Sequence, residues 1–327
     1  MQSRRRCDFL MTFQAFAVCV WRASEAAAAG GALVAASHVA PLRLVARISN
    51  SRLERSPDEY IYVPGLCALA DDVLLAACWF NGLRALRLSS AQFCARDPSA
   101  LKDESVWNAA LDAASGTLLL AFVAEAASGA LADEDVEVVW LVSLQCVADE
   151  WREVQRVQTE CTFTELWVGL SFAGDSRVLC GQCEEDRLYA FDVSAEGRLR
   201  SVGAVVLDDE LYRFASTRLG GDSLVAIADV WHNLSVQRLV GAGDALRLEP
   251  LARAALADAY NVLFRGDQLL VATDSKSVVS FDVSGGGFRG PRKLLRAVAG
   301  GWVDCWCLAG DLLVIAEVDS FDLLLYV

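Results

Sequence analysis

Short apolar runs alternate with polar turns along almost the whole chain, and one two-run unit recurs. Its clearest copy, residues 268–284, reads QLLVATDSKSVVSFDVS: an apolar run, a polar turn, and a second apolar run ending in Ser. Companion copies stand at 73–89, 177–194, 223–240 and 311–327, with weaker ones at 32–49 and, interrupted, at 117–143. The runs are rich in Val and Leu and bounded by Gly, Asp, Asn and Ser, which marks β-strands separated by turns. Equivalent positions, Val34, Leu75, Leu120, Leu179, Val225, Val271 and Val314, recur every ~41–46 residues, with one longer interval of ~59. Gly-Asp pairs at 174–175, 221–222, 266–267 and 310–311 precede four of the copies and read as tight hairpin turns. Long amphipathic helical patterns are absent.

A repeat of this period built from four short strands predicts an all-β fold, a single seven-bladed β-propeller spanning residues 1–327. The first copy is poor, so six or eight blades also fit the pattern. Apolar runs before each unit, such as 166–172 and 260–264, supply the inner strand a. Runs after it, such as 199–207 and 292–298, supply the outer strand d. The last copy stops where strand c should stop, so residues 1–15 are expected to complete that blade and close the ring. Closure removes sheet edges that would otherwise pair with other chains. Residues 125–137 read as a loop insertion that explains the long interval.

Composition narrows the setting. Of 327 residues 54% are hydrophobic, ample for a large core. Acidic residues number 43 against 29 basic, a formal net charge of −14, which disfavours nucleic acid and anionic membrane as partners. Eleven cysteines, an odd number, lie mostly inside apolar runs, as buried free thiols do. That points to a reducing compartment, cytoplasmic or nuclear. The alternative is secretion: Arg4, Arg5 and Arg6 precede an apolar stretch and an Ala-rich one, the order of a signal peptide. In that case the sequon Asn233-Leu234-Ser235 becomes meaningful.

In period and strand layout the chain resembles WD40-like propellers, but it lacks their Gly-His and Trp-Asp marks. Phe191-Asp192-Val193-Ser194 and Phe281-Asp282-Val283-Ser284 fill the Trp-Asp slot. Asn81-Gly82-Leu83-Arg84 with Leu86-Arg87-Leu88-Ser89 is similar to LVIVD-type repeats. The resemblance implies architecture and no particular activity.

In such a ring the b–c and d–a loops emerge on one face. Here the b–c loops bring His38, Trp79, Phe80, Glu184, Glu185, Asp186, Asp229, Trp231, His232, Asp274, Lys276, Glu317 and Asp319. The d–a side adds Asp103, Glu104, Trp107, Glu165, Trp167, Asp209, Glu210, Tyr212, Asp258, Tyr260 and Trp302. Aromatics recur at binding hot spots, and carboxylates beside them favour Arg- or Lys-bearing partners. The competing reading has the aromatics packing between blades while the acids solvate loop tips. Cys180 and Cys183 form a CxxC and Cys305 and Cys307 a CxC, but on different expected blades, so no metal site or cofactor is expected. Arg289, Arg292, Lys293 and Arg296 form a basic cluster on an expected edge strand, where charge deters edge pairing.

The expected function is a non-enzymatic protein–protein interaction scaffold, a monomeric propeller within a complex, offering an acidic, aromatic-rich face to a basic partner. No catalytic residue is assigned. The alternative is a propeller enzyme, a metal-assisted lactonase or esterase with a carboxylate-lined centre built from Asp229, Asp274, Asp319 and Asn81.

Overall fold

The computed structural model describes residues 42–48, 62–70, 72–79, 82–90, 92–93, 105–112, 115–125, 137–147, 150–163, 167–174, 176–231, 233–254, 256, 259–273, 275–284, 288–295, 303–317 and 323–327. They form six four-stranded antiparallel sheets. Blade one is β2 (Gly65–Ala70), β3 (Val73–Ala77), β4 (Leu83–Arg87) and β5 (Gln92–Phe93). Blade two is β6 (Ser105–Asp112), β7 (Thr117–Glu125), β8 (Glu137–Val147) and β9 (Glu150–Thr162). Blade three is β10 (Val168–Phe172), β11 (Arg177–Gln182), β12 (Arg187–Val193) and β13 (Leu199–Val206). Blade four is β14 (Leu211–Leu219), β15 (Asp222–Asp229), β16 (Leu234–Val240) and β17 (Arg247–Ala254). Blade five is β18 (Ala259–Arg265), β19 (Gln268–Thr273), β20 (Val278–Asp282) and β21 (Arg289–Leu295). Blade six is β22 (Val303–Ala309), β23 (Leu312–Glu317) and β24 (Leu323–Tyr326), completed by β1 (Leu44–Ile48).

The first strands of the blades, β2, β6, β10, β14, β18 and β22, neighbour one another in cyclic order, β22 returning to β2. The fold is a six-bladed β-propeller, the lower of the counts that the repeat pattern admits. Six of the seven copies are the b–c hairpins of the six blades. The copy at 32–49 has a different use: its second half, β1, pairs antiparallel with β24 as the fourth strand of blade six, Leu44 opposite Tyr326 and Ile48 opposite Leu323. Arg43 and Val327 exchange backbone hydrogen bonds of 3.0 Å at the end of that pair. Ring closure by a strand preceding blade one is therefore present, made by 44–48. Residues 1–15, expected in that place, lie outside the described residues, as do 126–136, most of the expected insertion. The strands on either side of it end on the pair Glu125 and Glu137.

The apolar runs are continuous because a blade buries both faces. On strand b of each blade, successive residues point to opposite sides. Leu74 and Ala76 pack with Val314 and Leu323 against blade six, while Leu75 and Ala77 pack with Leu118 and Leu120 against blade two. Leu119 and Ala121 meet Cys180 and Phe191, and Leu179 and Ala190 meet Val225 and Ile227. Leu224 and Ala226 meet Leu269 and Val271, and Leu270 and Ala272 meet Leu313 and Ile315. The core is thus six apolar layers between blades. A fully buried Leu or Ile in such a layer contributes about 1.5–3 kcal/mol.

The Gly-Asp turns fall where hairpins need them. Gly221, Gly266 and Gly310 have φ of 94°, 60° and 56°, a left-handed region that costs glycine little. Gly65 answers a different need: a Cβ there would stand 2.7 Å from both Asn108 Cα and the Trp107 carbonyl oxygen, so only glycine lets β2 approach β6 this closely.

Candidate functional site

In a four-stranded antiparallel blade the b–c and d–a connections share one end, and at this end the chain gathers its aromatic and acidic side chains. Trp79, directly after strand b of blade one, is held at φ 46°, a region bulky residues rarely adopt. Its N–H and carbonyl both bond Val106 of blade two at 3.1 Å, which anchors the strained residue across the blade seam. Its ring lies 6.0 Å from that of Tyr62 and 5.8 Å from that of Trp107, edge-on to each. Phe163 extends the set, 4.9 Å from Trp107. Trp107 is buried, whereas Tyr62, Trp79 and Phe163 are half-buried and reach the surface.

The acidic part follows around the ring. Glu184 also takes a left-handed φ, 66°. Its N–H donates to the Leu211 carbonyl at 2.7 Å, and the Leu211 N–H donates to the Glu185 carbonyl at 2.7 Å. Leu207 N–H reaches the Asp186 carbonyl at 2.7 Å, and Val230 N–H reaches that of Glu210 at 3.1 Å. Three loops from blades three and four are laced into one surface by backbone alone. From it Glu184, Asp186, Asp208, Asp209 and Glu210 project into solvent. Two ion pairs offset this charge in part, Arg187 with Asp186 at 3.7 Å and Arg253 with Asp208 at 3.3 Å. Asp229 shapes the next loop: its Oδ1 accepts the N–H groups of Trp231 and Asn233, each at 2.9 Å. Trp231 stands 73% exposed beside these acids.

Beneath this surface lies a buried polar layer. The Cys161 thiol donates to Glu185 Oε2 at 3.3 Å, which draws that carboxylate inward. Burial, and then the charge of Glu185, pushes the Cys180 thiol up to about 12. Cys161 is raised further, by burial and by its neighbours Cys180 and Glu185. Burial and the same carboxylate lift the Tyr189 phenol to about 12. Both thiols are buried in the apolar layer between blades two and three. The Arg213 guanidinium lies 4.3 Å over the Trp167 ring and 5.1 Å from that of Tyr212, which meets Tyr260 edge-on at 5.3 Å. Desolvation dominates the upward shift of the Tyr212 phenol.

Of the residues singled out in the sequence, the structure brings together Glu184, Glu185, Asp186, Asp229 and Trp231, with Trp79 in the adjoining aromatic set. Glu317 does not join the exposed face. Its side chain is 1% exposed and pairs with Arg47 of the closing strand at 3.3 Å. His38, Phe80, Asn81, Asp103, Glu104, Glu165, His232, Asp258, Asp274, Trp302 and Asp319 lie outside the described residues. Trp107 and Trp167 are buried between blades, in keeping with the packing reading for strand-a aromatics. Tyr62, Phe163 and Asp208 belong to the site and carry no distinguishing signal in the sequence, since each sits in an irregular connection. Cys180, Cys183, Cys305 and Cys307 are free thiols. Among the described residues, no three His, Cys, Asp or Glu side chains are placed to share a metal ion.

The inner strands surround an axial cavity of about 390 Å³. Its wall mixes apolar and polar surface: the rings of Trp167, Phe214, Phe264 and Trp306 stand beside the amides of Asn108 and Asn261 and the hydroxyls of Ser171 and Ser216. No acidic or basic side chain lines it among the described residues. Side chains instead serve the open edges of the inner strands. Asn108 Nδ2 donates to the Val168 carbonyl at 3.0 Å, Trp306 Nε1 to that of Val262 at 3.1 Å, and Ser171 Oγ accepts the Ser216 N–H at 2.9 Å.

Neither a protein-family model nor a curated protein matches the chain. Solved structures do match in fold, 1227 chains in all, so the architecture is common and does not discriminate among activities. One is described as a glucose dehydrogenase. It superposes with a TM-score of 0.54 over 80% of this chain and 95% of its own, at 13% identity. Identity that low carries the fold alone. Blade order and ring closure make the chain a β-propeller of six blades, and this likeness agrees with the propeller fold.

Proposed function

We propose that this propeller is a protein-interaction scaffold whose acidic, aromatic face receives a basic partner. The observation that carries the reading is the lacing of the 184–186, 207–211 and 229–231 loops by backbone hydrogen bonds, with five exposed carboxylates and an exposed Trp231 on the surface they form. A rigid surface loses little conformational entropy on binding. The carboxylates attract Lys and Arg and speed encounter, and Trp231 offers the kind of large amphipathic anchor on which binding energy concentrates. The half-buried rings of Tyr62, Trp79 and Phe163 extend the face and supply cation–π surface.

The test is affinity capture from the native host with the wild-type chain and an E184K/D186K/D209K variant. Glu185 is left in place because its carboxylate meets Cys161. The reading expects a wild-type partner that the variant loses. An unchanged partner set would count against it.

A further inference from the structure

A second surface has the opposite chemistry. Between blades four and five, at the end where the a–b and c–d turns lie, is a cavity of about 340 Å³. Its apolar wall is Leu219, Leu224, Val236, Leu251, Val283 and Phe288. All but Leu224, Val236 and Val283 are only half-buried, so the cavity opens outward. At its wall Arg238 pairs with Asp222 at 3.1 Å through Nη2, while its buried Nε–H has no hydrogen-bond partner among the described residues. A buried N–H without an acceptor is destabilising, a cost an incoming carboxylate or carbonyl would remove.

The chain runs directly from Phe288 into β21, whose first five residues, RGPRK, are all exposed. Arg289 stands opposite Asp282, whose carboxylate both it and Arg292 stabilise, Arg292 opposite Ser280 and Lys293 opposite Val279, so three cations lie along the outer edge strand of blade five, Arg292 and Lys293 on opposite faces of it. In a protein of net charge −14 this stripe is against the trend. Edge protection explains exposed charge on β21. It does not explain an open cavity of mixed apolar and polar lining beside it, or a guanidinium donor left over in the wall.

We propose that this cleft and the β21 stripe form a docking site for an acidic peptide segment that carries one bulky apolar anchor. The anchor fills the cavity, and flanking carboxylates meet Arg238, Arg289, Arg292 and Lys293. Charge complementarity selects the occupant: an acidic segment is repelled by most of the surface of this chain and attracted here.

The probe is a fluorescein-labelled glutamate-rich peptide with a single central Phe, followed by fluorescence anisotropy on the intact chain. Controls are the same peptide with Phe→Ala and a lysine-for-glutamate counterpart. The chain is expected to bind the Phe peptide at least ~10-fold more tightly than either control. An R289E/K293E variant should weaken binding ~10-fold or more, and A252L, which narrows the cavity, should erase the preference for Phe over Ala. Both variants are checked for a native melting transition. The proposal is overturned if the Phe peptide binds no better than its controls, or if its binding ignores both variants. It is equally overturned if R289E/K293E instead abolishes binding to phosphatidylserine vesicles or self-association in sedimentation, with the peptide unbound.

Discussion

The backbone N–H of Glu184 donates to the carbonyl of Leu211 at 2.7 Å, joining the b–c loop of blade three to the first strand of blade four. The bond holds Glu184 in a left-handed conformation, φ 66°. At such a position a side chain costs roughly 1 kcal/mol relative to glycine, and more when β-branched. Glu184→Gly is therefore expected to match or exceed wild-type stability by up to ~1 kcal/mol, whereas Glu184→Val should lose ~1–2 kcal/mol. Urea denaturation of both variants checks the sign of each.

Ring closure rests on β1. Ile48 is fully buried against blade one and blade six, next to Ala46. Ile48→Ala should cost ~2–4 kcal/mol. The loss should also appear as faster amide hydrogen exchange in β24, the strand it pairs with.

The repeat makes the blades legible in the sequence alone, because strand b must be apolar on both faces and that leaves an unbroken run. The blade count is harder to read. Residues 42–48, LRLVARI, look the same whether they form a strand c inside a blade or a strand d that closes one. Pairing partners distant by nearly the whole chain decide which, and a local pattern does not contain them. The acidic loops are legible as composition. That they form one surface is not, since the bonds between 184–186 and 207–211 involve backbone groups that nearly every residue possesses. Glu317 shows the reverse case: a loop-edge carboxylate by pattern, yet drawn inward by Arg47 from the other end of the chain.

Thiol reactivity separates packing cysteines from accessible ones. Cys146 is exposed, whereas Cys67, Cys180, Cys305 and Cys307 are buried. Burial raises Cys67 to about 12, and Cys307 is raised by burial and by Cys67. In the native state at mildly alkaline pH, iodoacetamide should modify Cys146 at least ~100-fold faster than these four, as followed by peptide mass spectrometry. Equal rates would show that the inter-blade layers are open.

Acid sensitivity has a defined direction at Asp192. Partial burial works to raise this carboxyl, but hydrogen bonds from Arg177 and Arg200, both 2.9 Å, outweigh it and hold the group below its ordinary 3.8. A carboxyl lowered in the folded state adds stability above its unfolded value and loses it as pH falls through the folded value. The Tm difference between wild type and Asp192→Asn should therefore be full near about pH 6 and shrink below about pH 4, as read by calorimetry across that range.

Calorimetric titration of the captured partner over a series of salt concentrations tests whether the acidic, aromatic face binds a basic partner. Affinity is expected to fall steeply with salt and to weaken at least ~10-fold both in E184K/D186K/D209K and in Trp231→Ala, with the native melt retained in each. Affinity independent of salt and unchanged in both variants would contradict it.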